Sequence, residues 1–286
     1  MPASMKQIKS RMQATQKTSQ ITKAMNMVSA SKMKRAERLV RQFANFTDKV
    51  SKIMGHLVAS DEGDLRHPLL EVRPVKAKLF VVVTSDRGLA GPYNSNVLKE
   101  MSKQLQEHPN SLLLTIGRKA QTYMRSKKLS SINPMPYAHK DEMNLGMVKA
   151  IVQQITIGYT AGDFDEVNII YSHYINTLSQ AVKVDRLLPI ETTDDESLSS
   201  YEFEGGPQAI IDQLLPVYIE NMIYGALLDS KASEHASRMT AMQSATDNAK
   251  DIIKQLNLYY NRARQASVTL ELTDIIGGAN AVGGNQ

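Results

Sequence analysis

The stretch "AERLVRQFANFTDKVSKIMGHL", residues 36–57, steps its apolar or small side chains by three and four: Ala36, Leu39, Phe43, Phe46, Val50, Ile53 and Leu57. That alternation is the seam of a helix that pairs with a second helix. The stepping extends upstream through Met5, Ile8, Met12, Thr15, Ser19 and Thr22, and neither Pro nor Gly interrupts residues 3–54. A single helix of ~55 residues, about 80 Å long, is therefore expected. Its middle, "SQITKAMNMVSASKMKRA" (residues 19–36), has few bulky apolar side chains: Ile21, Met25, Met27, Val28 and Met33. A helix so poor in them buries little against its own chain.

The pattern breaks in "DEGDLRHPLLEVRPVKAK", where Gly63, Pro68 and Pro74 read as a linker. Strands and helices then alternate. "AKLFVVVTS", "SLLLTIG", "EVNIIYSHYIN" and "QAVKVDRLLPI" read as strands. Helices are expected in "GPYNSNVLKEMSKQLQEH" after its Asn/Ser cap, in "RKAQTYMRSK" and in "DEMNLGMVKAIVQQITIGYTAG". Such alternation predicts a small, open, mostly parallel α/β sheet. The acidic loop "ETTDDESLSSYEFEGGP" (residues 191–207) closes the insert. A second long helical pattern follows, with a seam at Ala249, Ile252, Leu256, Tyr259, Ala263, Ala266, Leu270 and Thr273. Pro216 should kink this helix, and the glycines of the final "GGANAVGGNQ" should weaken its end. The expected fold is an α/β insert, Rossmann-like and mostly parallel, flanked by two long terminal helices. Those helices form an antiparallel coiled coil, because each supplies the seam that the other needs. The boundaries expected are 1–60, 75–190 and 207–286.

The chain has no Cys, which rules out disulfides and thiolate metal sites, and its longest apolar run, around Leu79–Val83, is far too short to span a membrane. Its net charge of +5 is unevenly spread. Twelve bases in residues 1–60 face only Glu37 and Asp48, so the remainder holds 22 of the 34 bases and 27 of the 29 acids. The first segment is thus strongly cationic and the rest mildly anionic, which implies an acidic partner for the N-terminal helix.

"TSDRGLAGPYNSN" (residues 84–96) follows a buried strand and precedes a helix, a place where open α/β sheets bind phosphates. Its Gly spacing suits neither a dinucleotide loop nor a triphosphate loop, and Gly88 and Gly91 are read as serving a tight turn. The histidines are scattered without metal-ligand spacing. Nucleic-acid binding is weakened by the absence of aromatics from residues 1–42 and by bases spread along the helix.

Two terminal stretches, "QITKAMNMVSASKMKRA" and "NRARQASVTLELTDIIGGANA", resemble signatures of the gamma subunit of F-type ATP synthases. The C-terminal pattern is met by Val268, Thr269, Glu271, Asp274, Gly278 and Ala279. "ASEHASRMTAMQSATDNA" (residues 232–249) and "SDRGLAGPYNSN" also resemble that family, so the likeness spans nearly the whole chain. It implies a rotor shaft with no catalytic residue, cofactor or metal of its own. The terminal helices would turn inside a ring of three alpha and three beta subunits. The insert would sit near the membrane against the epsilon subunit and the c ring. By the same resemblance, Met25, Lys32, Lys34, Arg35, Arg238, Arg264, Gln265, Thr269 and Glu271 would serve beta-subunit contact or coupling. Tyr201, Phe203 and Glu204 would contact the c ring, and Phe203 stands where some relatives carry Tyr.

The resemblance also accounts for the composition of residues 19–36. A helix turning in a sleeve is better served by small, flexible and polar side chains than by large interlocking knobs. The expected location is the cytoplasmic side of a bacterial plasma membrane, peripheral and held through the complex. Two other classes remain open at this point. ATP binding by the isolated chain would favour an α/β nucleotide-binding enzyme, and salt-sensitive retention on DNA would favour a nucleic-acid-binding structural protein.

Overall fold

The computed structural model of the chain describes residues 4–59, 67–142, 144–190 and 207–283. In chain order the elements are α1 (Met5–Ala59), β1 (Lys78–Val83), α2 (Tyr93–Glu107), β2 (Ser111–Ile116), α3 (Arg118–Lys127), α4 (Leu145–Ala161), β3 (Glu166–Tyr174), β4 (Gln180–Leu188) and α5 (Pro207–Gly283). The chain divides into two compact units, Met1–Val28 with Ala241–Gln286, and Ser29–Thr240. Both long helices contribute to both units.

In the second unit the strands form one sheet in the order β2-β1-β3-β4. β1 runs parallel to β2 and β3, and β4 is antiparallel to β3. The hairpin between β3 and β4 explains the exception, because a parallel return would need a crossover of about a dozen residues or more. The pleat sorts β1 by face. Leu79, Val81 and Val83 join a core that includes Ile151 and Ile155 of α4 and Ile211, Leu215, Ile219 and Ile223 of α5. Phe80 and Val82 join the opposite core, with Val97 and Met101 of α2 and Ala120 and Met124 of α3. β1 is thus buried on both faces and accordingly reads as a continuous apolar run, whereas the edge strand β4 is partly exposed.

The two long helices run antiparallel. In the first unit the Thr22 and Thr246 hydroxyls are hydrogen-bonded at 2.7 Å. In the second the Phe43 and Tyr224 rings meet edge-on at 4.9 Å. Within that unit Lys32 of α1 also shares Asp141 with His235 of α5, so there the partner number falls as the α1 number rises.

The expected seams need correction in phase. On α1, Ile8, Thr22, Ala36 and Val50 are buried as expected, but Leu39 and Phe46 are exposed while Val40 and Thr47 turn inward. On α5, Ala249, Leu256 and Ala263 are at least partly buried, whereas Ile252, Tyr259, Ala266 and Leu270 are exposed. Ile253, Tyr260 and Ser267 take the intervening positions. Beyond Ser267, α5 presents no buried residue through Ala279.

One local expectation changes, and two stretches expected to disturb α5 remain helical. The α2 N-cap is Pro92, without a side-chain cap. Asn94 instead lies inside the helix, where its Oδ1 accepts the Ser85 backbone N–H at 3.0 Å. α5 continues as helix on both sides of Pro216, where Ile211, Leu215 and Ile219 hold it on the sheet. It also continues through Gly277 and Gly278.

Candidate functional site

In an open α/β sheet, ligands bind at the carboxyl ends of strands where the strand order reverses. Here that point lies between β1 and β3, and α5 fills it. Every residue from 226 to 238 on α5 is buried, although the run includes Asp229, Ser230, Lys231, Ser233, Glu234, His235, Ser237 and Arg238. A helix polar on several faces can be enclosed only if its polar groups find partners.

Most do. Asp229 Oδ1 accepts the Tyr174 backbone N–H at 2.8 Å, and Asp229 Oδ2 lies 2.5 Å from His173 Nδ1. These contacts close the end of β3. The Ser230 and Tyr93 hydroxyls are 2.6 Å apart, tying α5 to the start of α2. Ser237 Oγ donates to the Ala90 carbonyl at 2.8 Å, and Arg238 Nη2 approaches the Gly88 carbonyl at 3.4 Å. The loop after β1 therefore turns its carbonyls to α5. Its left-handed residues are Leu89 and Gly91, with φ of 61° and 50°, so Gly91 serves the turn as expected while Leu89, not Gly88, carries the second such conformation.

A charged network completes the enclosure. Lys231 Nζ donates to the His139 carbonyl at 2.6 Å and to Glu234 Oε2 at 2.8 Å. Glu234 Oε1 pairs with Arg238 at 2.7 Å. Burial alone would raise the Glu234 pKa, but Lys231, His139 and Arg238 hold it below the usual range. His139 is pushed down to about 4, first by burial and then by the Lys231 cation. Its ring nitrogens face the carbonyls of Thr84 and Leu227 at 3.1 and 3.2 Å.

His139 arrives there because the segment before it is pinned to the edge of β2. The Asn133 amide pairs with the Thr115 backbone on both sides, its Oδ1 accepting and its Nδ2 donating at 2.9 Å. The Tyr137 N–H donates to the Thr115 carbonyl and its own carbonyl accepts from Gly117. Two residues past His139, Asp141 pairs with Lys32 of α1 at 2.5 Å and with His235 of α5 at 3.0 Å.

The structure distributes the residues singled out from the sequence. Lys34 and Arg35 are exposed on α1, and Met25 is half-buried beside exposed Ile21, Met27 and Val28. Lys32 is engaged by Asp141, and Arg238 is buried against Glu234. Arg264, Gln265, Thr269 and Glu271 are exposed on α5, where Thr269 Oγ1 donates to the Gln265 carbonyl and Ser267 Oγ to Glu271. Tyr201, Phe203 and Glu204 lie outside the described residues. Sequence reasoning missed Asp229, Lys231, His139 and Asp141. The available signal was "DSKASEHASR", which is too polar all round for an ordinary half-buried helix.

An α/β domain whose sheet crevice is filled by the chain's own long helix is the kind of fold found in an ATP synthase central stalk. The ATP synthase family profile matches residues 4–282, and the ATP synthase gamma chain of Macrococcus caseolyticus (strain JCSC5402) is 43% identical over 288 residues, 98% of this chain and 99% of that one. The chain belongs to the ATP synthase gamma-chain family. Among solved structures, a chain of the Tetrahymena thermophila mitochondrial ATP synthase central stalk and c ring matches with a TM-score of 0.60 at 28% identity, over 79% of this chain and 99% of that one. A chain of the Euglena gracilis mitochondrial ATP synthase in rotational state 3 shares the fold with a TM-score of 0.69 at 18% identity, over 97% and 94%.

Proposed function

We propose that this chain is the central-stalk rotor of an F-type ATP synthase. It carries rotation between the c ring and the ring of three alpha and three beta subunits, and so couples ion movement to ATP synthesis or hydrolysis. The beta subunits perform the chemistry. The observation that carries this reading is the bare end of α5. From Val268 to Ala279 every residue is exposed, including Val268, Leu270, Leu272, Ile275 and Ile276. An apolar surface of that kind marks a site for another protein. The exposed Ile21, Met27 and Val28 of α1, set among cationic residues, support the same conclusion.

Met25, Lys34, Arg35, Arg264, Gln265, Thr269 and Glu271 are the contacts proposed toward the beta subunits. Lys32 and Arg238 are proposed for the same contact or coupling role, and each also pairs within the chain, with Asp141 and Glu234. Tyr201, Phe203 and Glu204 are proposed to face the c ring, and the epsilon subunit is the further partner at that end. No helix among the described residues is long and apolar enough to cross a membrane. Attachment to the cytoplasmic side of the plasma membrane would come through the complex.

Isolation of the complex at native expression level tests the reading. A single copy of this chain in each ring of three beta subunits is expected, and its recovery free of beta subunits would overturn the assignment. For the contact residues, Met25→Lys should impair coupling more than ATP hydrolysis, because an added cation overbinds an acidic loop. Equal losses of both would remove Met25 from that role.

A further inference from the structure

Asp141 stands where three segments of the second unit meet. Its Oδ2 accepts from Lys32 Nζ of α1 at 2.5 Å. Its Oδ1 lies 3.0 Å from His235 Nε2 and 3.8 Å from Lys231 Nζ, both on α5. The residue itself belongs to the segment that Asn133 fastens to the edge of β2. We infer that Asp141 is a positioning residue for torque transfer, a latch that ties the α/β domain to both stalk helices at once. The inference rests on the rotor reading above.

The argument is mechanical. The apolar contacts between the sheet and α5 are non-directional, so they resist separation better than sliding. Charge-assisted hydrogen bonds are directional and resist displacement along the interface. A carboxylate held by α1 through one oxygen and by α5 through the other opposes two slips together: the domain past the stalk, and one helix past its neighbour. Lys231 is itself fixed by the His139 carbonyl and Glu234, so one side of the latch is anchored in the buried network. The Asp141 side chain is 45% exposed and that of Lys32 is 42% exposed. A pair so accessible adds little to folding, which leaves alignment under load as its distinct contribution. Although burial opposes ionisation, Lys32, His235 and Lys231 bring the Asp141 pKa down to about 2, so the carboxylate stays charged at working pH.

The test uses the whole complex in sealed vesicles, with ATP hydrolysis and ATP-driven ion pumping measured side by side. Asp141→Asn should leave hydrolysis near the parent rate and lower pumping per ATP about threefold, the order expected of one partly exposed ion pair. Lys32→Met should act in the same direction. The double variant should be no worse than Asp141→Asn alone, since both changes open one latch. Unchanged pumping per ATP in Asp141→Asn would overturn the inference, as would losses that add in the double variant. Should Asp141→Asn fail to assemble, Lys32→Met decides alone, and unchanged coupling in it counts against the latch. Failure of the rotor reading would look different, because the parent chain itself would then be missing from the pumping complex.

Discussion

Asp229 Oδ1, on α5, accepts the backbone N–H of Tyr174, the last residue of β3, at 2.8 Å. A helix side chain thus occupies the strand end where a related sheet would receive a ligand. Asp229→Ala would leave that N–H without its partner and strip His173 of its carboxylate. We expect a loss of about 1–3 kcal/mol in denaturant unfolding, and a smaller one for Asp229→Asn, which keeps an acceptor oxygen. The isolated chain should give no heat on titration with magnesium ATP, since its own helix fills the crevice.

The Thr22 and Thr246 hydroxyls are buried between the helices of the first unit and bonded at 2.7 Å. Each also lies within reach of a carbonyl of its own helix, Ser19 for Thr22 and Met242 for Thr246, and the two hydroxyl protons serve two of these three contacts at a time. Thr22→Val or Thr246→Val should therefore cost about 1 kcal/mol each. The double variant should cost less than the two added, because it removes both polar groups together. Thermal unfolding of the three variants reads the coupling.

Gly117 precedes α3 with a φ of +90°, and a Cβ there would collide with the Thr84 carbonyl oxygen. Gly117→Ala therefore adds a backbone clash to an unfavourable conformation. The expected cost is about 3 kcal/mol or more, seen as a lower melting temperature or a poor soluble yield.

Acid should loosen the second unit in two stages. His139 is held near 4, below its ordinary 6.5, chiefly by burial, with the Lys231 cation adding to it. Between those values the unfolded chain binds a proton that the folded chain refuses, so stability is lost as pH falls through that window. Burial lowers His235 in the same direction. Asp141 lies near 2 against an ordinary 3.8, so its smaller, solvent-screened contribution is lost as pH falls from 3.8 toward 2. Melting temperatures measured across this range should decline with acid, and His139→Gln should flatten the upper part of the curve. A curve of the same slope in that variant would place the titration elsewhere.

The strands and helices of the insert were legible in the sequence to within a few residues. "RKAQTYMRSK" coincides with α3, and the apolar run at Leu79–Val83 lies within β1, because turn residues punctuate these short elements clearly. The phase of the long seams was not. Leu39–Val40, Ile252–Ile253 and Tyr259–Tyr260 are apolar doublets, and either member could enter a seam that steps by three and four. Only the facing helix decides which turns inward. Phe46 and Thr47 show the harder case, since the bulky residue faces out and the small one in. The polar network was illegible for another reason. Its partners lie far apart along the chain, Asp229 with Tyr174, Asp141 with Lys32 and Lys231 with His139. The polarity of "DSKASEHASR" signals that partners exist, but nothing within one segment says which residues they are.

α5 is 77 residues long and α1 is 55, so the longer partner outlasts the shorter. Its uncovered tip is a greasy spike in water. Made without its assembly partners, such a polypeptide would clump with copies of itself.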